Sequence, residues 1–425
     1  MEYDAKQLEA ISRCCDINNA NRVVPVTGQA GTGKTTLIRD VYHKLREAGY
    51  RVALCAPTGK AAKRIEEATG IRAKTIHRLL EYTYPGERDP ETGQVHGISE
   101  PRRFRSNPLE LDVVLADEYA MVNNEVHRNL FDALPLGGSI RVFGDVNQLR
   151  PIETSDALKE QDSPFQKLLK QFNGIYLETI HRQSEGSGIV ENGQRILRGR
   201  MPKRCDDFTM KITDDPITAL RGYIDEQASK GVEFNTIDNQ VIVVGRRSWV
   251  GTPKVNNLLQ TVFRPESDGW LDVPRHPWAK TKVRFRVGDK VINTKNIYAQ
   301  PEGSPLEVFN GESGIIIDIS EFGEIVIDLG DRVVTFPPVI TYEDNHGRIK
   351  SYDPRKELDL AYAITCHKSQ GSEYQHVVYI LNRSQGKYLR NRANFYTGIT
   401  RARTHVHVIS DLRSLQYAVS NNRNW

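Results

Sequence analysis

The chain has 425 residues, of which 38% are hydrophobic and 26% are charged, and its formal net charge is +4. This is the composition of a soluble globular protein with room for two or three domains. The chain has no apolar run of the roughly 18 residues that a membrane span needs, and it starts without the pattern of a signal peptide. Its five cysteines have neither CxxC nor zinc spacing and are odd in number. We therefore expect a protein of the reducing cytoplasm with no membrane partner.

A phosphate-binding loop is the first strong signal along the chain. Residues 28–36 read Gly-Gln-Ala-Gly-Thr-Gly-Lys-Thr-Thr and lie between an apolar strand at 23–26 and a helix at 37–45. Glycines let backbone N–H groups close around phosphates, the lysine reaches the β and γ phosphates, and a threonine hydroxyl ligates Mg²⁺. The predicted nucleotide-binding residues are Gly28, Gly31, Thr32, Gly33, Lys34, Thr35 and Thr36, and Thr35 is also a predicted metal ligand. Pro25 removes a ladder hydrogen bond and predicts a local edge of the sheet.

Short apolar strands alternate with helical segments through the first half of the chain. The predicted strands are 51–56, 113–117, 140–144 and 175–177. Such alternation is typical of parallel βαβ units. Residues 81–107 break the pattern with turn-forming residues, which predicts a protruding hairpin or a loop.

A second α/β set follows in the other half of the chain. Its predicted strands are 240–245, 377–381 and 406–409. Short alternating runs at 313–318, 324–328 and 332–336, separated by glycine turns, interrupt this set. They predict a small β-barrel inserted over residues 299–351. No internal repeat is apparent.

Two strands of the first half end in residues suited to phosphoryl transfer. Residues 113–118 are an apolar strand that ends in Asp117 and Glu118. Adjacent carboxylates usually mark just a strand end, but after a phosphate loop they suit a Walker B site. There Asp117 holds Mg²⁺ and Glu118 polarises the attacking water. The next strand leads to Gln148, whose amide at the carboxyl edge of the sheet can sense the γ-phosphate.

With these motifs in this order, the sequence resembles superfamily 1 helicases, and within them the group B enzymes of the RecD-like and phage Dda-like type. The resemblance covers most of the chain. It rests on the segments that match the Q motif, motif Ia, motif Ib, the motif IV arginine, the entry to an inserted barrel, motif V and motif VI, namely residues 3–7, 56–64, 75–79, 177–183, 308–314, 361–373 and 396–403. Motifs V and VI are the most specific.

The resemblance implies roles for further residues. Gln7 reads adenine, Gly371 and Glu373 contact the nucleotide, and Arg182 and Arg401 join Lys34, Glu118 and Gln148 as catalytic residues. The implied DNA contacts are Pro57, Thr58, Lys60, Thr75, His77, Thr365, His367 and Lys368. For the two histidines, a purely structural role is an equal alternative. Arg401 matches the family's arginine finger.

The chain departs from the family at two points. Motif II of the family often reads Asp-Glu-Ala-Ser or Asp-Glu-Val-Ser, whereas residues 117–120 read Asp-Glu-Tyr-Ala. The missing hydroxyl is expected to weaken coupling between the nucleotide and motif III. Gln7 lies near the start, so we expect the extra amino-terminal domain of larger RecD proteins to be absent.

The sequence thus predicts an α/β protein with two RecA-like P-loop domains, a hairpin (pin) insertion in the first and a small β-barrel insertion in the second. The expected first domain is 1–80 with 108–183, the pin 81–107, the second domain 184–298 with 352–425, and the barrel 299–351. Tyr82, Tyr84 and Phe104 of the pin are candidates to stack on the last base pair, with Arg102, Arg103 and Arg105 on phosphates. A surface loop is the alternative.

The expected activity is ATP-dependent unwinding of DNA with 5′ to 3′ movement. ATP and Mg²⁺ are the expected cofactors, and the expected partners are single-stranded and fork DNA and single-strand-binding, replication or recombination proteins. We expect a monomer in a bacterial or phage-infected cell. The alternatives are a translocase that displaces proteins, an RNA helicase of the same superfamily, and a non-catalytic clamp subunit. The last is disfavoured because Lys34, Glu118, Gln148 and Arg401 are all present.

Overall fold

The computed structural model describes residues 3–17, 22–83, 100–151, 161–179, 187–264, 270–275, 282–299, 306–343 and 348–422. The described residues form two compact units, of which the first ends at Ser187 and the second begins at Gly188. Arg182 and most of the predicted pin, residues 84–99, lie outside the described residues. Among the helices of the described ranges, none has the length and apolarity to cross a membrane.

The first unit is a six-stranded parallel sheet with the order β3-β2-β4-β5-β1-β6. Every residue of β1, β4 and β5 is buried, as expected for central strands covered on both faces. The four predicted strands of this half are confirmed to within one residue. Its strands are β1 (Val23–Gly28), β2 (Val52–Ala56), β3 (Ala73–Thr75), β4 (Val113–Ala116), β5 (Ser139–Gly144) and β6 (Ile175–Leu177), and its helices are α1 (Ala5–Cys15), α2 (Lys34–Glu47), α3 (Gly59–Thr69), α4 (Ile76–Leu79), α5 (Asn124–Asp132) and α6 (Pro164–Gln171).

Pro25 lies where the sheet has a local edge. Strand β5 runs alongside β1 from Val23 onward, whereas β6 begins opposite Val26. Pro25 therefore precedes the ladder on the β6 side, and the predicted local edge is confirmed. This placement accommodates a residue that has no backbone N–H.

Arg141 of β5 is a buried cation that sequence patterning did not reveal. Its guanidinium donates to the carbonyl oxygens of Cys14 at 2.7 Å, Asp16 at 3.0 Å and Arg22 at 3.3 Å. The first two carbonyls belong to the end of α1, where the helix dipole favours a positive charge. These hydrogen bonds connect the end of α1 to β5.

The second unit combines a parallel and an antiparallel sheet. The parallel sheet has the order β20-β8-β21-β22-β7, and the antiparallel sheet has the order β16-β15-β14-β11-β19. The strands of this unit are β7 (Phe208–Ile212), β8 (Asn239–Val243), β9 (Trp270–Pro274), β10 (Lys282–Arg286), β11 (Lys290–Asn293), β12 (Ile297–Ala299), β13 (Leu306–Val308), β14 (Ser313–Ile319), β15 (Ile325–Asp328), β16 (Val333–Phe336), β17 (Ile340–Glu343), β18 (Ile349–Tyr352), β19 (Leu358–Leu360), β20 (Ala363–Thr365), β21 (Tyr374–Leu381) and β22 (Ala402–Ser410). Its helices are α7 (Gly188–Leu197), α8 (Pro216–Ser229), α9 (Thr252–Phe263), α10 (Cys366–Ser369), α11 (Arg392–Ile399) and α12 (Leu412–Ser420).

The three strands predicted within the 299–351 insertion are confirmed as β14, β15 and β16. The sheet is completed by β11 and β19, which lie outside that range. Its buried residues Ile316 and Phe336 belong to the same hydrophobic cluster as Val241 and Val378 of the parallel sheet. The antiparallel strands therefore share a core with the α/β part, and their separation as a barrel domain stays a prediction.

A buried histidine joins the strands and a helix of the second unit. His407 of β22 stacks on Tyr223 of α8 with ring centroids 3.9 Å apart, and its Nδ1 lies 2.8 Å from Oγ1 of Thr209 in β7. Burial, with a further contribution from the nearby His405, lowers the pKa of His407 to about 4. The imidazole is therefore neutral at pH 7.

We expect His407 to make the protein sensitive to acid. Because its folded-state pKa lies below the ordinary value, the unfolded chain binds the proton first, and stability is lost as the pH falls from about 6.5 towards 4. This group should account for about 2 kcal/mol of the unfolding free energy lost between pH 7 and pH 5. Urea unfolding at both pH values measures the loss, which should be smaller by about that amount in His407→Asn. An equal loss in the variant would contradict the prediction.

Candidate functional site

The phosphate loop joins β1 to α2 in the first unit. Gly31 and Gly33 have φ of +86° and +80°, a left-handed backbone that favours glycine. A Cβ on Gly28 would lie 2.4 Å from Oγ1 of Thr32, so this position also requires glycine. The first N–H groups of α2 have no acceptor within the helix and form an anion site at its amino end.

Lys34 is held across this loop. Its Nζ donates to the carbonyl oxygens of Gly28 at 2.6 Å and Gln29 at 2.9 Å. Burial and the charge of Glu118 raise the pKa of Asp117, and Lys34 lies close enough to offset part of that rise. The predicted cation of the loop and the predicted metal carboxylate are therefore neighbours.

Asp117 and Glu118 lie at the carboxyl end of β4. The N–H of Asp117 donates to the carbonyl of Cys55 at 2.9 Å, which ties this end of β4 to the end of β2. Burial, and next the charge of Glu118, raise the pKa of Asp117 to about 6. Glu118 has a φ of +51°, a strained value for a residue with a side chain. Its Oε1 lies 3.8 Å from Nη1 of Arg64 on α3.

Gln148 is buried in the turn after β5. Its N–H donates to the carbonyl of Asp145 at 3.1 Å, and the N–H of Val146 donates to Oγ1 of Thr27 at 3.1 Å. These bonds fix the turn beside the end of β1, from which the phosphate loop departs. The structure thus brings Gln148 to the same sheet edge as Lys34.

Gln7 contacts the phosphate loop directly. Its Nε2 donates to the carbonyl of Thr32 at 3.2 Å, and its Oε1 accepts from the N–H of Asp4 at 3.1 Å in a capping box that begins α1. The amide is therefore already engaged within the protein, and its contact with adenine stays a prediction.

The predicted DNA-contacting threonines cap helices. Oγ1 of Thr58 accepts from the N–H of Ala61 at 3.2 Å at the start of α3, and Oγ1 of Thr75 accepts from the N–H of Arg78 at 3.1 Å. Pro57 and Lys60 flank the first cap and are half-buried. A DNA phosphate at these positions would meet helix N–H groups and Lys60 more readily than the threonine oxygens.

The second unit also has a threonine that ends an edge strand and caps a short helix. Thr365 ends the edge strand β20 and caps α10 through the N–H of Lys368 at 3.3 Å, just as Thr75 ends the edge strand β3 and caps α4. The pattern Thr-x-His-basic therefore occurs at 75–78 and 365–368, which is a short internal repeat.

Both histidines of this pattern are half-buried. Burial lowers the pKa of His77 and of His367. The ring of His77 lies 4.6 Å from that of Tyr82, whose OH accepts from Asn129 at 2.7 Å. Tyr82 is only 7% exposed, and its predicted stacking on DNA is wrong because the ring is not accessible.

Thr365 and Lys368 line a cationic cavity of about 700 Å³ in the second unit. Lys368 lies 3.7 Å from Asp359, which also pairs with Arg246 and Arg275. Cations outnumber carboxylates among the lining residues, whose charged members are Arg246, Asp272, Arg275, Lys282, Arg284, Arg286, Asp359 and Lys368. The cavity suits a polyanion.

Arg401 is buried, with 2% of its surface exposed. Its Nε donates to the carbonyl of Thr397 at 3.1 Å and its Nη1 to that of Ser372 at 3.3 Å. Ser372 stands between the predicted nucleotide residues Gly371 and Glu373, and Glu373 accepts from Nε of Arg403 at 2.8 Å. The second unit therefore gathers the ends of motifs V and VI.

Arg64 and Arg403 are the charged partners that sequence reasoning missed. Arg64 lies within the segment that matches motif Ia, four residues after Lys60, and this helical spacing was the available signal. Arg103, a candidate phosphate contact of the predicted pin, pairs with Glu81 at 2.9 Å.

Comparison with known proteins shows what the chain is similar to. A family model described as an AAA domain matches residues 2–213, and one described as a UvrD-like helicase C-terminal domain matches residues 360–409. The chain is 28% identical over 409 residues to the ATP-dependent RecD2 DNA helicase of Deinococcus radiodurans, covering 95% of this chain and 49% of that protein. The chain is similar to the RecD-like helicases of superfamily 1, group B.

Further relatives agree. The RecD subunit of the RecBCD enzyme of Mycolicibacterium smegmatis is 27% identical over 432 residues, covering 93% of this chain and 69% of the subunit. A crystal structure of Bacteroides Pif1 helicase with ADP-AlF3 and ssDNA has a TM-score of 0.60 at 19% identity, covering 98% of this chain and 94% of that one. The predicted fold of two RecA-like domains is confirmed. The chain spans about half the length of its Deinococcus relative.

Proposed function

We propose that this RecD-like chain hydrolyses ATP to move 5′ to 3′ along single-stranded DNA and to separate duplex strands. The observation that carries the proposal is the convergence of Lys34, Asp117 and Glu118 at the carboxyl edge of one parallel sheet, where Lys34 begins α2 after β1 and the two carboxylates follow β4. The comparisons support it, because the RecD2 relative from Deinococcus radiodurans is named an ATP-dependent DNA helicase.

The donor chemistry of the first unit fits Mg²⁺. A buried carboxylate with a raised pKa, such as Asp117, favours a bound cation, and the Thr35 hydroxyl follows directly after Lys34. The described residues include no group of three or more His, Cys, Asp or Glu arranged for a metal. This suits Mg²⁺, which keeps waters and phosphate oxygens as ligands and would neutralise charge on the phosphates.

Each proposed catalytic residue has one task. Phosphoryl transfer spreads negative charge over the γ-phosphate, which Lys34 and Arg401 stabilise as cations. Glu118 polarises the attacking water, and Gln148 senses the γ-phosphate. Arg182, which lies outside the described residues, is proposed as a further cation. Loss of the γ-phosphate changes these contacts and drives movement.

Single-stranded DNA is proposed to bind at the starts of three helices. The N-caps Thr58, Thr75 and Thr365 present helix N–H groups to phosphates, and Lys60 and Lys368 add charge. The cationic cavity beside Thr365 supports this path. His77 and His367 are proposed contacts through neutral rings.

Strand separation on tailed duplexes tests the proposal. With ATP and Mg²⁺, a duplex with a 5′ single-stranded tail should be unwound and one with a 3′ tail should not. Unwinding of the 3′-tailed duplex alone would refute the polarity. Matched RNA strands as competitors test DNA preference, and a protein-blocked duplex tests displacement without unwinding.

The proposed partners are single-stranded and fork DNA, with single-strand-binding or replication and recombination proteins as further candidates. We propose that the chain acts as a cytoplasmic monomer. Light scattering of the protein on a tailed duplex short enough for one molecule tests the stoichiometry, and a mass of two protein copies per DNA would refute it.

The segment beyond Tyr82 is proposed to act as the strand-separating pin. Its described ends pair in antiparallel fashion: Tyr82 bridges Pro101, and the N–H of Thr83 donates to the carbonyl of Glu100 at 2.8 Å. Phe104 is 46% exposed and is a candidate to stack on a base pair. The pairing of Tyr82 with Pro101 and of Thr83 with Glu100 supports the proposed pin.

Replacing residues 83–94 with a short Gly-Ser turn should abolish unwinding while DNA-stimulated ATP hydrolysis stays within about twofold of wild type. Only the wedge is removed, and the residues that bind nucleotide are untouched. Gel-based strand displacement and phosphate release on the same preparations measure the two activities. Full-rate unwinding by the variant would show that strands are separated elsewhere.

A further inference from the structure

Arg64 lies on the helix that begins at the proposed DNA contacts of the first unit. Thr58 caps α3, and Lys60 and Arg64 are one helical turn apart on the same face. Long side chains on a helix lean towards its amino end. Arg64 therefore leans towards the end of α3 at which a DNA phosphate is proposed to bind.

The sheet brings the same arginine to the catalytic carboxylates. Strand β2, which leads into α3, pairs with β4, which leads to Asp117 and Glu118. Nη1 of Arg64 lies 3.8 Å from Oε1 of Glu118, with 28% and 13% of the two side chains exposed. Because the pair is partly shielded from water, its attraction is stronger than that of a surface ion pair.

The ion pair opposes the proposed task of Glu118. A carboxylate must accept hydrogen bonding from the attacking water to polarise it, and a guanidinium beside the carboxylate stabilises its negative charge and weakens it as an acceptor. The positive φ of Glu118 fixes the direction of its Cα–Cβ bond, so the side-chain contact decides where the carboxylate points.

We propose that Arg64 is a positioning residue that holds Glu118 in the DNA-free protein and exchanges it for a DNA phosphate at the start of α3. The inference rests on the proposed function and deepens it, because it supplies the link between DNA binding and ATP hydrolysis. Arginine binds carboxylates and phosphates through the same planar fork. The exchange keeps Arg64 paired in both states, so neither state leaves its charge uncompensated.

Steady-state ATP hydrolysis with and without oligothymidylate tests the exchange in Arg64→Ala and Arg64→Gln. Freed from the pair, Glu118 should raise the DNA-free rate about tenfold, while the rate at saturating DNA stays within about threefold of wild type. The stimulation by DNA therefore falls by about the same tenfold. DNA affinity should also lose salt dependence, by about one unit of slope, since one phosphate contact is gone.

Two further variants serve as controls for the ATP hydrolysis measurements. Arg64→Lys keeps the charge but not the fork, and its DNA-free rate should lie between those of wild type and Arg64→Ala. Arg72→Ala removes an exposed arginine just beyond α3 and should match wild type. A stimulation factor unchanged in Arg64→Ala and Arg64→Gln, or equal losses with and without DNA, would overturn the inference alone. Absence of stimulation in wild type would instead overturn the proposed function.

Discussion

Replacing Lys34 with alanine is expected to lower DNA-stimulated ATP hydrolysis by at least about 10³-fold. Nζ of Lys34 already lies across the phosphate loop, 2.6 Å from the carbonyl oxygen of Gly28. A γ-phosphate bound to this loop develops charge that the ammonium group stabilises. Phosphate release at saturating ATP, Mg²⁺ and single-stranded DNA measures the loss.

The fold should survive the Lys34→Ala change. The described hydrogen bonds of Nζ are to carbonyls of its own loop, and the side chain is half-buried at the first position of α2. Lys44→Ala on the same helix is the matched control, because this lysine is exposed and near the other end. Turnover of Lys34→Ala within tenfold of the control would refute the role of this loop in catalysis.

The second large effect is expected at Arg401. Arg401→Ala should keep nucleotide binding within about threefold and lose about 10³-fold or more in turnover, because an arginine finger acts on charge that develops in the transition state. Fluorescent nucleotide titration and single-turnover hydrolysis measure the two quantities separately. A similar small loss in both would make Arg401 a structural residue.

The burial of Arg401 makes its controls important. Its guanidinium bonds the carbonyls of Ser372 and Thr397, so removing it also leaves two acceptors in a buried region without these donors. Arg401→Lys retains a cation but loses the planar fork, and it should recover stability better than turnover. Arg413→Ala, at an exposed position of α12, should match wild type in both activities.

Much of the fold was predictable because its signals are local. The central strands of both parallel sheets contain short apolar runs, and Gly31 and Gly33 mark the left-handed turns that the phosphate loop needs. The edge strands β3, β7 and β20 were not predicted, because they are short or carry polar residues. The antiparallel sheet was only partly predicted. Strand β11 is buried at all four positions, including Lys290, and therefore shows no alternation of polar and apolar residues.

The residues of the candidate site were likewise predictable only in part. Lys34, Asp117 and Glu118 follow strands directly, so their position at the carboxyl edge of the sheet follows from a parallel α/β fold. Tyr82 was misjudged because an aromatic residue next to a turn-rich segment carries no sign of its own burial. Its contact with Asn129 depends on how α4 and α5 pack.

By itself, the sequence determined the phosphate loop, the Walker B carboxylates, the order of the motifs and so the resemblance to RecD-like helicases. Each of these is a short run whose chemistry is complete within a few residues. Tertiary structure alone decided that Arg64 pairs with Glu118, 54 positions later in the chain, and that Arg401 is buried against Ser372. Such contacts depend on which strands are neighbours and on how helices pack over them, and local residue patterns do not encode either choice.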